Sequence, residues 1–77
     1  MHVSIVSPEK ILFTGDVDSV SVPGSKGQFE ILNRHAPIIS SLTTGKLECK
    51  GAQPYIQNIQ SGFIEVSQNE VSICVEL

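Results

Sequence analysis

The sequence has few of the residues that mark large cores, disulfide scaffolds or membrane spans. It contains no tryptophan, one tyrosine, three phenylalanines and two cysteines. We therefore expect valine, isoleucine and leucine to fill the core. No apolar run approaches the roughly 20 residues of a membrane-spanning helix, and no secretory signal precedes the first predicted strand, so we expect a soluble cytosolic protein. The 77 residues suffice for one domain, residues 1–77, with no room for a deep enzyme cleft.

Basic residues are also scarce, since the chain has five Lys and Arg against eight Asp and Glu, which gives a net charge of −3. Nucleic-acid binding requires a basic face, so this balance argues against a nucleic-acid partner. Without a secretory signal, Cys49 and Cys74 are expected to be free thiols. His2 and His35 add two possible ligands, but no two of these four residues have a metal-binding spacing. The sequence predicts no metal site and no cofactor.

The motifs of common enzyme classes are missing. The segment Gly24–Gly27 does not have the spacing of a phosphate-binding loop, and Gly45-Lys46 is not followed by Ser or Thr. A serine, His35 and either Asp16 or Asp18 could be grouped as a hydrolase triad. Most small proteins contain these three residue types, so their presence alone does not indicate hydrolysis. We therefore predict a protein without catalytic residues.

Alternating apolar residues, separated by Gly, Pro and Asn, predict short strands along the whole chain. The predicted strands are His2–Val6, Ile11–Gly15, Val17–Val22, Gln28–Leu32, Ile38–Leu42, Gly45–Lys50, Pro54–Gln60, Gly62–Ser67 and Val71–Val75. The fifth also fits a single helical turn. This spacing predicts an all-β fold, a small β-sandwich or flattened barrel of about eight to ten short strands.

The most informative segment runs from Val22 to Ile38. Pro23 is expected to end the third strand at Val22, because proline lacks the N–H of a sheet ladder. Gly24 and Gly27 are expected to supply the positive φ angles of a tight turn. On local evidence this is an ordinary hairpin, but the loop that follows is unusual. Pro37 holds the preceding chain extended, so the loop presents its polar side chains stiffly, as expected of a contact site.

Several short motifs occur in an order and spacing that match one family over nearly the whole chain. They are Ile5–Glu9, Leu12–Gly15, Val20–Gly24 with Gly27, His35–Ile38, Thr44-Gly45, Gly62–Val66 and Asn69–Val71. Each motif alone has low specificity, whereas the colinear set is specific. In these motifs the chain resembles the amino-terminal β-sandwich domain of the epsilon subunit of bacterial F-type (F1Fo) ATP synthases, called delta in mitochondria.

The resemblance implies a non-catalytic rotor subunit of the central stalk. Such a subunit docks on gamma and on the c-ring, couples proton flow to ATP synthesis, and lies peripherally at the cytoplasmic face of the bacterial inner membrane. The family meets the ring through one end of the sandwich. Carried over to this sequence, the ring contacts are Gln28, Glu30, Asn33, Arg34 and His35, and the gamma contacts are Ser7 and Ser40. A loop imidazole bonded to nearby backbone is the alternative interpretation of His35.

The sequence departs from the family in two places. Asn33-Arg34 stands where the family usually has Pro-Gly, so we expect a changed turn and an added charge suited to an acidic partner. The carboxy-terminal helical hairpin of many members is missing from these 77 residues. If the natural chain ends at Leu77, we expect a short form without that brake on ATP hydrolysis; if it continues, nothing about regulation follows. The competing hypotheses are a free-standing β-sandwich adaptor that binds through an edge strand, and a small enzyme built around His35 in a pocket.

Overall fold

The computed structural model describes residues 1–77 and consists of nine β-strands joined by short turns. The strands are β1 (His2–Val6), β2 (Ile11–Asp16), β3 (Ser19–Gly24), β4 (Gly27–Leu32), β5 (Ile38–Leu42), β6 (Gly45–Lys50), β7 (Tyr55–Ile59), β8 (Ser61–Ser67) and β9 (Glu70–Glu76). All nine predicted strands are present, and the fifth is a strand and not a helical turn. The structure contains no helix that is long and apolar enough to cross a membrane.

The strands follow from a side-chain period of two, which places alternate residues on opposite faces of the sheet. In β9, Val71, Ile73 and Val75 are buried whereas Cys74 between them is exposed. The core cluster has 15 buried residues, and all except Cys49 are valine, isoleucine or leucine. Burying each such side chain contributes about 1.5–3 kcal/mol, so these aliphatic residues stabilise the fold without an aromatic core.

The strands form one continuous sheet that folds over into a flattened barrel measuring 26 × 25 × 17 Å. One run of neighbours, β2-β1-β9-β8-β5, is called the first layer here, and β4-β3-β6-β7 the second layer. The layers join where Gly24 of β3 pairs with Leu42 of β5. Phe13 of β2 stacks on Tyr55 of β7, with ring centroids 5.0 Å apart, where the two layers meet without a ladder. The expected flattened barrel is therefore present.

The third strand differs from the prediction at both ends. It begins at Ser19, because the Val17 N–H donates to the Met1 carbonyl and leaves the ladder. It continues through Pro23 to Gly24, and Pro23 pairs with Gln28 in the β3–β4 ladder. Of the two glycines expected at positive φ, only Gly27 has it, at 120°. The tight turn therefore needs one left-handed glycine.

Successive strands alternate in direction along the chain, so the turns lie at two opposite ends of the barrel. The N-terminal end carries residues 1, 17–18, 33–37, 51–54 and 68–69. The C-terminal end carries residues 7–10, 25–26, 43–44, 60 and 77. Strand β1 lies parallel to β9, with His2 opposite Glu70, so the first and last strands are neighbours in the first layer.

Candidate interaction surfaces

The five residues expected to contact the ring lie along one side of the barrel. Strand β4 pairs with β3 alone, so it is an edge strand. Gln28 and Glu30 are exposed on its outward face, and the following loop carries the other three. We call the set Gln28, Glu30, Asn33, Arg34 and His35 the β4 strip. At a rise of about 3.3 Å per residue, the strip extends along the barrel, whereas the resemblance implied contacts at one end of the sandwich.

The loop after β4 keeps a tight turn although glycine is absent from it. Arg34 has φ 64°, a left-handed conformation that glycine adopts without strain and other residues adopt rarely. Its N–H donates to Asn69 Oδ1 at 2.9 Å, and the His35 N–H donates to the Leu32 carbonyl at 3.2 Å. Arg34 thus adopts the left-handed conformation that glycine favours, and the expected change of the turn relative to the family stays a prediction.

A second contact fixes the same loop to the start of β1. Asn33 Oδ1 accepts a hydrogen bond from the Met1 amino group at 2.7 Å, and that amino group also donates to the Val17 carbonyl at 3.1 Å. The loop backbone is therefore held by two neighbouring segments of the barrel end. The Arg34 guanidinium makes no hydrogen bond or ion pair within the chain. It projects as a free positive charge that an acidic partner can bind.

His35 is half-buried, and its ring is bonded to the backbone beside it. Nδ1 donates to the Ala36 carbonyl at 2.7 Å. Asp16, considered above as a triad partner, instead lies 3.9 Å from His2 Nδ1. Nowhere do three His, Cys, Asp or Glu side chains come together as metal ligands. His35 thus makes the backbone hydrogen bond of its alternative interpretation, and its contact with the c-ring stays a prediction.

Gln28 also uses its side chain within the protein. Its Nε2 donates to Ser21 Oγ at 3.0 Å and to the Lys46 carbonyl at 2.8 Å. Glu30, two residues further along the edge, is exposed and forms no ion pair. Of the five residues, Glu30 and Arg34 therefore offer unpaired charges to a partner, whereas Gln28 is bonded across the sheet.

A second candidate surface is a groove of about 570 Å³ on the outer face of the first layer, near the C-terminal end. Its lining includes Val6, Ser7, Ser41, Phe63, Cys74 and Val75. Phe63 is 64% exposed on β8. Beneath it, a Cβ at Gly62 would overlap the Cys74 carbonyl oxygen, so the backbones of β8 and β9 approach closely there. This set is called the first-layer groove.

The two residues expected to contact gamma are placed differently. Ser7 lines the first-layer groove. Ser40 does not, because it is half-buried on the opposite face of β5 from Ser41, and its hydroxyl donates to the Ser41 carbonyl at 3.2 Å. Sequence reasoning did not identify Phe63 as a surface residue. Its signal was parity, since Phe63 alternates in β8 with the buried Ile64 and Val66.

The two cysteines have different environments. Cys49 is buried in the core, and burial, with a smaller contribution from Glu48, raises the pKa of its thiol to about 11. Burial, followed by the nearby Cys49, also raises the pKa of Tyr55. Cys74 is exposed in the first-layer groove. The Cys49 thiol is therefore a neutral core residue at physiological pH.

Comparison with known proteins places this fold in a family. The family model of the ATP synthase Delta/Epsilon chain, beta-sandwich domain, matches residues 1–77. An ATP synthase epsilon chain of Leptospira interrogans is 46% identical over 77 residues, which make up 99% of this chain and 61% of that relative. The epsilon chain of Caulobacter vibrioides is 42% identical over 99% of this chain and 90% of that relative. The chain thus spans about three fifths of the Leptospira relative and nearly all of the Caulobacter one.

Solved structures with the same fold have low sequence identity to this chain. A chain from the central stalk and c-ring of Tetrahymena thermophila mitochondrial ATP synthase superposes with a TM-score of 0.88 at 18% identity, covering 100% of this chain and 63% of that one. A chain of the Euglena gracilis mitochondrial ATP synthase superposes with a TM-score of 0.86 at 18% identity, over 95% of this chain and 48% of that one. The fold is shared across this distance. By its family match over every residue and its identity to the bacterial epsilon chains, this chain belongs to the ATP synthase Delta/Epsilon family, of which it has the β-sandwich domain.

Proposed function

We propose that this chain is a non-catalytic central-stalk subunit of a proton-translocating F-type ATP synthase, docking on the gamma subunit and the c-ring. The observation that carries the proposal is the family match over residues 1–77 together with 42% identity to an epsilon chain that is scarcely longer. A close-packed aliphatic core deforms little under load, which suits a rotor component.

The first-layer groove is the surface that we assign to gamma. It is concave, mostly apolar and contains Ser7, one of the residues that the resemblance assigns to gamma. Phe63 is a large exposed aromatic side chain at its centre, and such residues dominate the binding energy of protein interfaces. Ser40 lies outside this groove, and its neighbour Ser41 is the residue of β5 that lines it together with Leu42.

The β4 strip is the surface that we assign to the c-ring. Its backbone is held by β3 on one side and by the Asn33 and Asn69 contacts at the loop, so it is presented without a large ordering cost. Glu30 and Arg34 supply the free charges. Docked in this way, the protein lies at the cytoplasmic face of the inner membrane through its complex, without substrate or cofactor of its own.

Co-purification with the gamma subunit from the same genome tests the proposal. We expect a stable one-to-one complex with the unmodified chain. Phe63→Ser should weaken this complex at least about tenfold, because it removes a central aromatic anchor. Ile56→Ser is the matched control, since Ile56 is 58% exposed on the second layer, away from the groove. Failure to bind gamma at micromolar concentration would overturn the assignment and favour the free-standing adaptor.

Ring contact is tested separately in the assembled enzyme. Arg34→Glu should leave the gamma complex intact and lower ATP-driven proton pumping relative to ATP hydrolysis. Lys50→Glu makes the same change of charge on β6, outside the β4 strip. Equal loss of coupling in both variants would contradict a specific contact at Arg34.

A further inference from the structure

Pro23 occupies a position in β3 that proline rarely takes. Strand β3 has β4 on one side and β6 on the other, so it is a central strand of the second layer. Proline is normally confined to edge strands and bulges, because it has no N–H to donate to the ladder. The β3–β6 register pairs Ser19 with Lys50 and Ser21 with Glu48. Two residues further along, it would place Pro23 opposite Lys46, whose carbonyl then lacks its ladder donor.

The missing donor is supplied by a side chain from the opposite neighbour. Gln28 is the ladder partner of Pro23 on β4. Its Nε2 reaches across β3 and donates to the Lys46 carbonyl at 2.8 Å, while it also donates to Ser21 Oγ at 3.0 Å. Both protons of the amide nitrogen are thus used. The side chain connects the edge strand β4 to β6, two strands away.

The surroundings of Pro23 fit this arrangement. A Cβ at Gly45 would lie 2.7 Å from Pro23 Cβ, so Gly45 leaves the space that the proline ring fills. The Pro23 carbonyl accepts from the Thr43 N–H at 2.8 Å. Strand β3 therefore pairs with Glu48 at Ser21, before Pro23, and the Pro23 carbonyl itself is bonded to Thr43. Only the Lys46 carbonyl lacks a backbone donor, and the Gln28 amide supplies it.

We propose that Gln28 is a positioning residue, whose amide replaces the N–H that Pro23 lacks and so fixes the edge strand that carries the β4 strip. This differs from the direct ring contact that the resemblance assigned to Gln28. The part of the proposal that concerns docking rests on the proposed function, whereas the pairing of Gln28 with Pro23 does not. Both Gln28 hydrogen bonds are solvent-exposed, so their loss weakens the native state by the modest amount of an ordinary hydrogen bond, and an edge strand without them opens more often.

A double-mutant cycle tests the pairing of Gln28 with Pro23. Gln28→Met keeps length and volume but removes the donor, and it should raise the unfolded-to-folded ratio roughly fivefold in the native background. In a Pro23→Val background, where a backbone N–H faces Lys46 again, the same change should have less than about a twofold effect. Gln60→Met is the matched control, because Gln60 is exposed and its side chain makes no hydrogen bond. Equal effects of Gln28→Met in both backgrounds would contradict the replacement of the proline donor.

Two measurements distinguish a Gln28 that positions β4 from one that only stabilises the fold. They are native-state hydrogen exchange and the coupling of proton pumping to ATP hydrolysis. Gln28→Met should speed exchange of the Phe29 and Ile31 amides, which lie in β4, more than exchange of amides in β9. It should also lower coupling in the assembled enzyme, and Pro23→Val should restore that coupling. Unchanged coupling, with the gamma complex still formed, overturns the positioning role alone. If Gln28→Met does not fold, Gln28→Lys, which retains a donor, must fold for the proposal to stand.

Discussion

Arg34 combines a strained backbone with an unpaired charge in the loop after β4. Its φ of 64° costs a residue with a Cβ roughly 1–2 kcal/mol. Glycine would relieve this strain, but the net gain in stability is smaller because a chain with glycine is more flexible when unfolded. We expect Arg34→Gly to stabilise the protein by about 0.5 kcal/mol and at the same time to lower ring coupling. Arg34→Ala is the control, since it removes the same charge and keeps the strain. Chemical denaturation measures the two stabilities, and a more stable Arg34→Ala would contradict the strain argument.

The buried thiol of Cys49 makes stability depend on pH in the alkaline range. The pKa of this thiol is raised from 9.0 to about 11 in the folded protein, so the unfolded chain loses its proton first as the pH rises. The stabilising neutral thiol is fully present below pH 9, and stability falls as the pH rises from 9 toward 11. We expect Cys49→Ala, although less stable at pH 7, to show a shallower decline over this range. Cys74→Ala serves as the control, and thermal melts at each pH measure the slopes.

Adjacent elements approach most closely where β8 passes β9. A methyl group at Gly62 would overlap the Cys74 carbonyl oxygen, and a backbone atom has little freedom to move away. We expect Gly62→Ala to destabilise the protein by about 2 kcal/mol or more, as in an overpacked core. Gly15→Ala is the control, since its Cβ would lie 3.4 Å from the Phe13 ring, an ordinary contact. Urea unfolding of the two variants measures the difference, and comparable losses would contradict the argument.

At the scale of single elements, the sequence predicted what depends on local pattern. Alternation predicted the strand β9, in which Cys74 is exposed and its neighbours Ile73 and Val75 are buried. It did not predict that β3 continues through Pro23, because the donor that permits this comes from Gln28 on another strand. Propensity describes one residue in its own segment, whereas this compensation depends on cross-strand register.

The arrangement of strands in the whole molecule depends on contacts between distant segments. The parallel pairing of β1 with β9 joins His2 to Glu70, and no local motif encodes that register. The same limit applies to the candidate surfaces. The sequence identified the loop at Arg34, because the charge of Arg34 precedes the rigid Pro37 in one short segment. The first-layer groove could not be identified in this way, because it forms only when β1, β5, β8 and β9 lie side by side. Residue types indicated candidate contacts, and only the assembled sheet showed which of them share a surface.

The β4 strip defines how the whole molecule is oriented on a ring. If the edge of β4 faces the c-ring, residues spaced along it should all lie near the polar loops of the ring, and the opposite edge of the second layer should not. We expect Glu30→Cys and Arg34→Cys, each in a Cys74→Ser background, to cross-link to the ring through a short thiol-reactive linker. Asn58→Cys on β7 is the control, because β7 forms the other edge of that layer and Asn58 is exposed. Mass spectrometry of the products identifies the partner. Cross-linking from Asn58→Cys, with none from the two strip variants, would mean that the barrel sits on the ring by its opposite side.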